Sequence, residues 1–184
     1  DFADMQLFDI KAHLEDFWVD CGAVDSKFDE LSFVERSGFE LQEANGHFYV
    51  YAGKVLVDDA QLKTKWSKIN LDQCLLDGSD WLTYRNYINT VPMDCRVSDC
   101  YISSEDLGYF APEMWRWNTT IRNATMSMKG KVCDFEGKVD NAVLQNGGMV
   151  KGSAHIKGLI DVEKTNFDIN LIYKRNQLNY RFIC

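Results

Sequence analysis

The sequence predicts one α+β domain, residues 1–184, in which a long N-terminal amphipathic helix packs against or closes a curved antiparallel sheet. Three observations predict it. Apolar residues recur at helical spacing near the start of the chain, they alternate with polar residues in the last third, and glycines interrupt the strands there. A glycine inside a strand permits the bending that a sheet needs in order to wrap a helix.

The first element is predicted as a helix over residues 4–21, because its apolar residues follow a spacing of three and four and Gly22 then supplies a stop. These apolar residues are Leu7, Ile10, Leu14, Phe17, Trp18 and Cys21. A second, short helix is predicted to begin at Ser26, which forms a capping-box pattern with Asp29, and to end before Gly38.

The middle of the chain predicts strands. Alternation from Phe39 to Ala52 surrounds Asn45-Gly46, a pair typical of a tight hairpin turn. Two further strands are predicted over 54–57 and 62–74. Ser79 or Asp80 then caps a short helix that Pro92 ends, and residues 93–117 are predicted as a long connection.

The last third predicts four consecutive antiparallel strands, because apolar and polar residues alternate with a period of two. The apolar residues that define them lie in four runs, which are 124–128, 150–162, 167–173 and 178–184. A turn at Arg175-Asn176 separates the last two runs.

Composition and charge restrict the classes of function. The chain is 46% hydrophobic with two prolines, which excludes a disordered or collagen-like protein. Its net charge of −8 argues against nucleic acid and anionic membrane surfaces as partners. The sequence contains no apolar run near the roughly 18 residues that cross a bilayer. Because it opens at Asp1 without an apolar leader, we expect a mature product whose signal peptide has been removed.

The six cysteines form an even set without a CxxC pair, which favours disulfides over a zinc site. We expect all six to be oxidised, with Cys95–Cys100 as a local bridge, Cys133 paired with Cys184, and Cys21 paired with Cys74, although the sequence leaves 15 connectivities open. Two N-glycosylation sequons begin at Asn118 and Asn123. Together with the cysteines they predict a secreted, extracellular glycoprotein.

Residues that could carry catalysis are scattered. His13, His47 and His155 lie in different predicted elements, and none has a metal-ligand spacing. Nucleophile-elbow, phosphate-loop and dinucleotide motifs are absent from the sequence. We therefore expect a non-enzymatic protein without a metal or cofactor.

The supply of 11 Phe, 8 Tyr, 5 Trp and 6 Met favours a hydrophobic ligand site, because such sites are mostly apolar and methionine gives an adaptable lining. The predicted ligand is a lipid-like small molecule. The predicted wall consists of Leu14, Phe17, Trp18, Met126, Met128, Ile156, Ile160, Phe167 and Ile169. The alternative is a glycoprotein interaction domain that recognises a protein receptor or host factor.

A resemblance bears on the same question. Residues 148–162, 167–174 and 128–132 resemble the glycine-punctuated strand pairs of group 7 mite allergens. That family is grouped with juvenile-hormone-binding and bactericidal/permeability-increasing proteins. Over 128–174 the resemblance implies an elongated sheet that wraps a helix and holds hydrophobic ligands.

Strand parity yields a prediction about the sugars. Asn123 shares the polar side of its strand with Thr125 and Ser127, whereas Asn118, five residues earlier, would face the other side unless it precedes the strand. We expect a glycosidase-induced mass shift that survives Asn118→Gln and disappears with Asn123→Gln. The reverse pattern would show that the strand register differs by one residue.

Overall fold

The computed structural model describes residues 6–110, 112–158, 166–175 and 178–183, and these form one antiparallel sheet of eleven strands in chain order. Each strand pairs with the strands before and after it in the sequence. The strands are β1 (Leu7–Asp20), β2 (Ala23–Glu35), β3 (Glu40–Tyr51), β4 (Lys54–Thr64), β5 (Lys68–Asp77), β6 (Met93–Ser103), β7 (Thr120–Lys131), β8 (Asp134–Leu144), β9 (Met149–Lys157), β10 (Asn166–Arg175) and β11 (Leu178–Ile183).

Short helices lie in two of the connections. Between β5 and β6, a 3-10 helix (Trp81–Asn86) leads into α1 (Tyr87–Thr90), and the Asp80 carboxylate accepts a 3.0 Å hydrogen bond from the Thr83 amide. This confirms the helix predicted before Pro92. Between β6 and β7, α2 (Ser104–Phe110) is followed by a 3-10 helix (Pro112–Trp117).

The predicted N-terminal helix is wrong, because residues 7–20 form β1. The pairing of β1 with β2 shifts register three times, and two residues in β1, Asp9 and Asp16, have left-handed backbone. A β-bulge inserts one residue into a strand, so that two residues on the same face can lie three positions apart. Bulges therefore give the apolar residues of β1 a spacing of three, which is also the spacing that predicts a helix.

Three further predictions of secondary structure are wrong. Residues 23–35 form β2, and the Ser26 hydroxyl donates to the carbonyl oxygen of Glu15 at 2.9 Å instead of capping a helix. Asn45-Gly46 lies inside β3, where a Cβ on Gly46 would lie 2.6 Å from the Cβ of Ala60 on β4. The predicted connection over 93–117 contains β6 and α2.

Seven strands share one irregularity. In each strand from β2 to β8 the apolar residues alternate every second position, except for one step of three residues. We call these the three-residue steps: Phe28 to Leu31, Leu41 to Ala44, Val57 to Ala60, Leu71 to Cys74, Val97 to Cys100, Ile121 to Ala124, and Val139 to Ala142.

Residues inside four of the steps have left-handed backbone: Glu30 (φ 54°), Asp59 (φ 48°), Asp99 (φ 48°) and Asn123 (φ 50°). Three of these four are Asp or Asn, the non-glycine residue types that adopt this conformation most readily. The residue at which a step ends is often small and buried, as at Ala44, Ala60, Cys100, Ala124 and Ala142. Bulges bend a strand, and the small residues fit where neighbouring strands crowd together.

The strands contact one another in chain order, from β1 with β2 to β10 with β11. Among the described residues, the backbones of non-neighbouring strands do not approach each other closely over any length. The accessible surface is 11991 Å², whereas a compact monomer of 21.2 kDa would expose about 9,000 Å². The larger surface agrees with the many half-buried side chains of the sheet.

A disulfide joins Cys74 of β5 to Cys95 of β6, which are directly paired across the two strands. The expected bridges Cys95–Cys100 and Cys21–Cys74 are therefore wrong, whereas the expected Cys133–Cys184 bridge involves a residue outside the described part of the chain. Cys95 and Cys100 lie five residues apart on one strand, roughly 16 Å at ~3.3 Å per residue, beyond the ~7 Å limit for a disulfide. Cys21, Cys100 and Cys133 have free thiols, and Cys184 lies outside the described residues.

Asp59 tests the role of the three-residue steps. We expect Asp59→Gly to change the free energy of unfolding by less than about 0.5 kcal/mol, because glycine accepts a positive φ, and Asp59→Val to cost ~1–2 kcal/mol. Gln61→Val on the same strand is the control, with a change within about 0.5 kcal/mol. Urea unfolding measures all three. Equal losses for the two valine variants would contradict the strained-backbone explanation.

Candidate functional site

One face of the sheet is apolar over nearly its whole width, and we call it the apolar face. Directly paired residues on neighbouring strands point to the same side, so the pairing defines rows that cross the sheet. One row runs through Phe48, Val57, Cys74, Cys95, Met128, Gly137, Ala154 and Ile169. A second runs through Ala60, Leu71, Val97, Met126, Val139, Gly152 and Leu171.

The opposite face is polar, and we call it the polar face. The row between the two apolar rows passes through Lys27, His47, Asp58, Gln73, Arg96, Ser127, Lys138, Ser153 and Asn170. Because this row lies on the other side of the same backbones, the sheet is amphipathic across nine strands. Most side chains of the two apolar rows are only half-buried.

The apolar face is covered at one end by α2. Leu107 of α2 packs against a small cluster formed by Cys100, Ile102, Ala124 and Ala142. A buried carboxylate anchors this helix, since Asp106 accepts hydrogen bonds from the hydroxyls of Thr64, at 2.6 Å, and Ser67. The Ser67 hydroxyl in turn accepts from the Ser103 amide at 3.0 Å. The β4–β5 turn and the start of α2 are thereby held together.

The predicted ligand wall is only partly assembled. Met126, Met128, Ile156 and Ile169 lie on the apolar face, and the first two and Ile169 belong to the two rows described above. Ile160 lies outside the described residues, as does the side chain of Phe167, whose backbone belongs to β10.

The N-terminal part of the predicted wall is separated from the rest. Leu14 and Phe17 lie on β1, six strand positions from β7, and Phe17 is 59% exposed. Trp18 pairs with Asp25, which places it on the polar face. A helix packed across the sheet could have brought these residues close to β7. Because β1 is instead the edge strand, they lie at the edge of the sheet.

Sequence reasoning missed several members of the rows, among them Val57, Val97, Val139 and Leu171. The available signal was the recurring three-residue step, in which an Asp or Asn precedes a small residue. Asp59-Ala60, Asp99-Cys100, Asn123-Ala124 and Asn141-Ala142 all show it.

An open depression of about 360 Å³ lies elsewhere, near the edge formed by the first three strands. Its lining is mainly polar and consists of Lys11, Ala12, His13, Glu30, Ser32, Gln42 and Glu43. It shares no residue with the predicted wall.

His47 on the polar face is held between two carboxylates. Its Nε2 lies 3.1 Å from Oδ1 of Asp25 and its Nδ1 lies 2.7 Å from Oδ1 of Asp58. These contacts, with Asp25 first and Asp58 second, raise the pKa of His47 above its ordinary value. Because both ring nitrogens are engaged, the imidazole has no nitrogen left to bind a metal or take up a substrate proton in this arrangement.

The other histidines do not join it. His155 on β9 lies 2.6 Å from Asp134, and its hydrogen bond lowers the pKa of that carboxyl. His13 on β1 lies 3.9 Å from Glu15. Among the described residues, no group of three potential metal ligands converges on a point.

The two sequons occupy neighbouring positions at one strand. Asn118 precedes β7, which begins at Thr120, and Asn123 lies within β7. Both are exposed. Asn118 thus meets the condition under which strand parity allows both sites to carry sugar, and glycosylation itself stays a prediction.

No family model, curated protein or solved structure matches the chain. Within the residues that the structure describes, none of the helices has the length and apolar character to pass through a membrane.

The His47 contacts predict a pH dependence of stability. Because the pKa of His47 is raised in the folded state, protonation of His47 stabilises the folded protein. This stabilisation is complete below the unfolded pKa of about 6.5 and is lost as the pH rises through the folded pKa. We expect the stability difference between the wild type and His47→Gln to be larger at about pH 6 than at about pH 9. Urea unfolding at both pH values measures it. In an Asp25→Asn, Asp58→Asn background the difference should no longer depend on pH, and persistence there would contradict the assignment.

Proposed function

We propose that this chain is a secreted, non-enzymatic binding protein for a hydrophobic small molecule with lipid-like chains, which lies along the apolar face. The observation that carries the proposal is the continuity of that face. One apolar row crosses eight strands and the other crosses seven, and most of their residues are only half-buried.

The dimensions suit an extended alkyl chain. Neighbouring strands lie about 4.8 Å apart, so eight strands span roughly 34 Å if the sheet is flat. Burial of apolar surface contributes about 25 cal/mol per Å², which gives such a long contact a substantial driving force. A row of side chains on one sheet face has no preference for head groups, so the alkyl part would supply most of the binding energy.

Gly137 gives the face a local hollow. It lies in the first row between Met128 and Ala154, and a Cβ placed on it would find no atom closer than 3.9 Å. The missing side chain leaves space beside a flexible methionine, which adapts to irregular ligands. This region is therefore the part of the face where we place the ligand.

Secretion has its own support. Disulfides persist in oxidising compartments, and the Cys74–Cys95 bridge is compatible with one. Two exposed sequons add to this argument, because N-glycosylation takes place in the secretory pathway.

One observation favours the alternative, a domain that recognises another protein. All five tryptophans of the chain are at least 44% exposed: Trp18, Trp66, Trp81, Trp115 and Trp117. Tryptophan is enriched at the energetic centres of protein interfaces. These residues lie towards the ends of the strands and outside the two apolar rows, so both functions could use different surfaces.

The proposal is tested by binding of a fluorescent fatty acid to delipidated protein. Met128→Lys places a charge on the apolar face, and we expect it to weaken binding at least about tenfold, because a buried ammonium is costly beside an alkyl chain. Ser127→Lys, one residue away on the polar face, is the matched control and should bind within about twofold of the wild type.

A second variant separates binding from stability. Gly137→Leu fills the hollow without a charge, and Glu136→Leu adds the same side chain to the other face. We expect only Gly137→Leu to reduce probe binding. Urea unfolding of both variants shows whether a loss of stability accounts for the change in binding. If delipidated wild type binds no probe, or if both faces respond equally, the carrier function is wrong and protein recognition takes its place.

A further inference from the structure

β1 differs from the strands inside the sheet, because it is exposed along its whole length and carries large apolar side chains on both faces. Leu14 continues the apolar face, while Phe8 and Trp18 lie on the polar face at 50% and 51% exposure. In the described chain its outer edge has no strand beside it. A long, apolar, unpaired edge is a template for pairing with another strand.

The sequence of β1 is nearly symmetric about His13. If two copies of β1 pair in antiparallel fashion with His13 opposite His13, residues equally far from His13 on its two sides lie opposite each other. Phe8 then faces Trp18, and Lys11 faces Glu15. All four lie on the polar face, as their partners on β2 show.

The apolar face matches in the same register. Leu7 faces Val19, whose partner on β2 is Val24, and Ala12 faces Leu14, whose partner is Phe28. Two of the three register shifts in β1, between Phe8 and Lys11 and between Glu15 and Trp18, are mirror images about His13, and the third lies between Lys11 and His13. The bulges of the two copies would therefore coincide instead of clashing.

Charge complementarity selects this register. Each Lys11 lies opposite a Glu15, and the acids Asp9 and Asp16 lie opposite Phe17 and Ile10. Two-fold symmetry repeats every pair, so the interface contains two Lys–Glu pairs and two Phe–Trp pairs. Opposite charges and aromatic pairs that face each other across neighbouring strands both stabilise antiparallel pairing.

We propose that two copies of this chain associate through antiparallel pairing of their β1 strands about His13. The dimer joins the two sheets into one, with the apolar faces continuous across the two-fold axis. Phe8 and Trp18 lose their exposure on the polar face. The proposal does not depend on a lipid ligand.

Charge reversal tests the pairing. Lys11→Glu sets two carboxylates opposite each other and Glu15→Lys sets two ammonium groups opposite each other. We expect each single variant to weaken self-association at least about tenfold in sedimentation velocity, and the double variant K11E/E15K to return within about threefold of the wild type. Lys151→Glu on the polar face of β9 is the control and should leave association unchanged. A monomeric wild type at about 100 μM, or a double variant no better than the singles, overturns the proposal.

Crosslinking tests the register. In a Cys21→Ser background, which removes the exposed thiol, His13→Cys places two thiols directly opposite across the axis. We expect it to form an intermolecular disulfide under mild oxidation. Lys11→Cys alone should not, since its two thiols lie about 13 Å apart, whereas Lys11→Cys with Glu15→Cys should. Circular dichroism confirms that each variant is folded, and crosslinking of Lys11→Cys in preference to His13→Cys overturns the register.

Discussion

The whole sheet depends on register, because every strand must present its apolar residues on the same side as its neighbours. Each of the seven consecutive strands from β2 to β8 departs once from strict alternation, through its three-residue step. If one strand lacked its three-residue step, its remaining apolar residues would turn to the polar face and meet charged side chains. Glu30, Asp59, Asp99 and Asn123 make the step possible by adopting a backbone that most residues avoid.

This constraint explains how a helix was predicted where the structure has a strand. Leu14 and Phe17 are three residues apart, a spacing that fits one face of a helix, and the same spacing arises in a strand that contains a bulge. Local pattern could not separate the two, because the deciding contact is with β2. The Asp or Asn before a small residue that marks later strands does not mark β1, where Asp9 and Asp16 precede Ile10 and Phe17.

Other parts of the fold were accessible from the sequence. Alternation in the last third predicted antiparallel strands at β7, β9, β10 and β11 but missed β8, which lies between the first two. It also placed Met126 and Met128 on the apolar side together. Asp80 and Pro92 set the bounds of a short helical segment. Asn45-Gly46 does not form the predicted turn, because Gly46 is required by the close approach of Ala60 from the next strand. The cysteine pairing could not be predicted, since it needs the alignment of β5 with β6.

The nearest-neighbour topology has a consequence for how such a protein can change. Because each strand contacts chiefly the strands before and after it, stability is close to a sum of local terms and of interfaces between neighbours, as in repeat proteins. A hairpin with the right alternation could be inserted or deleted while the remaining strands keep their pairing. The width of the sheet is therefore free to vary in evolution by two strands at a time, with the sidedness of the molecule preserved.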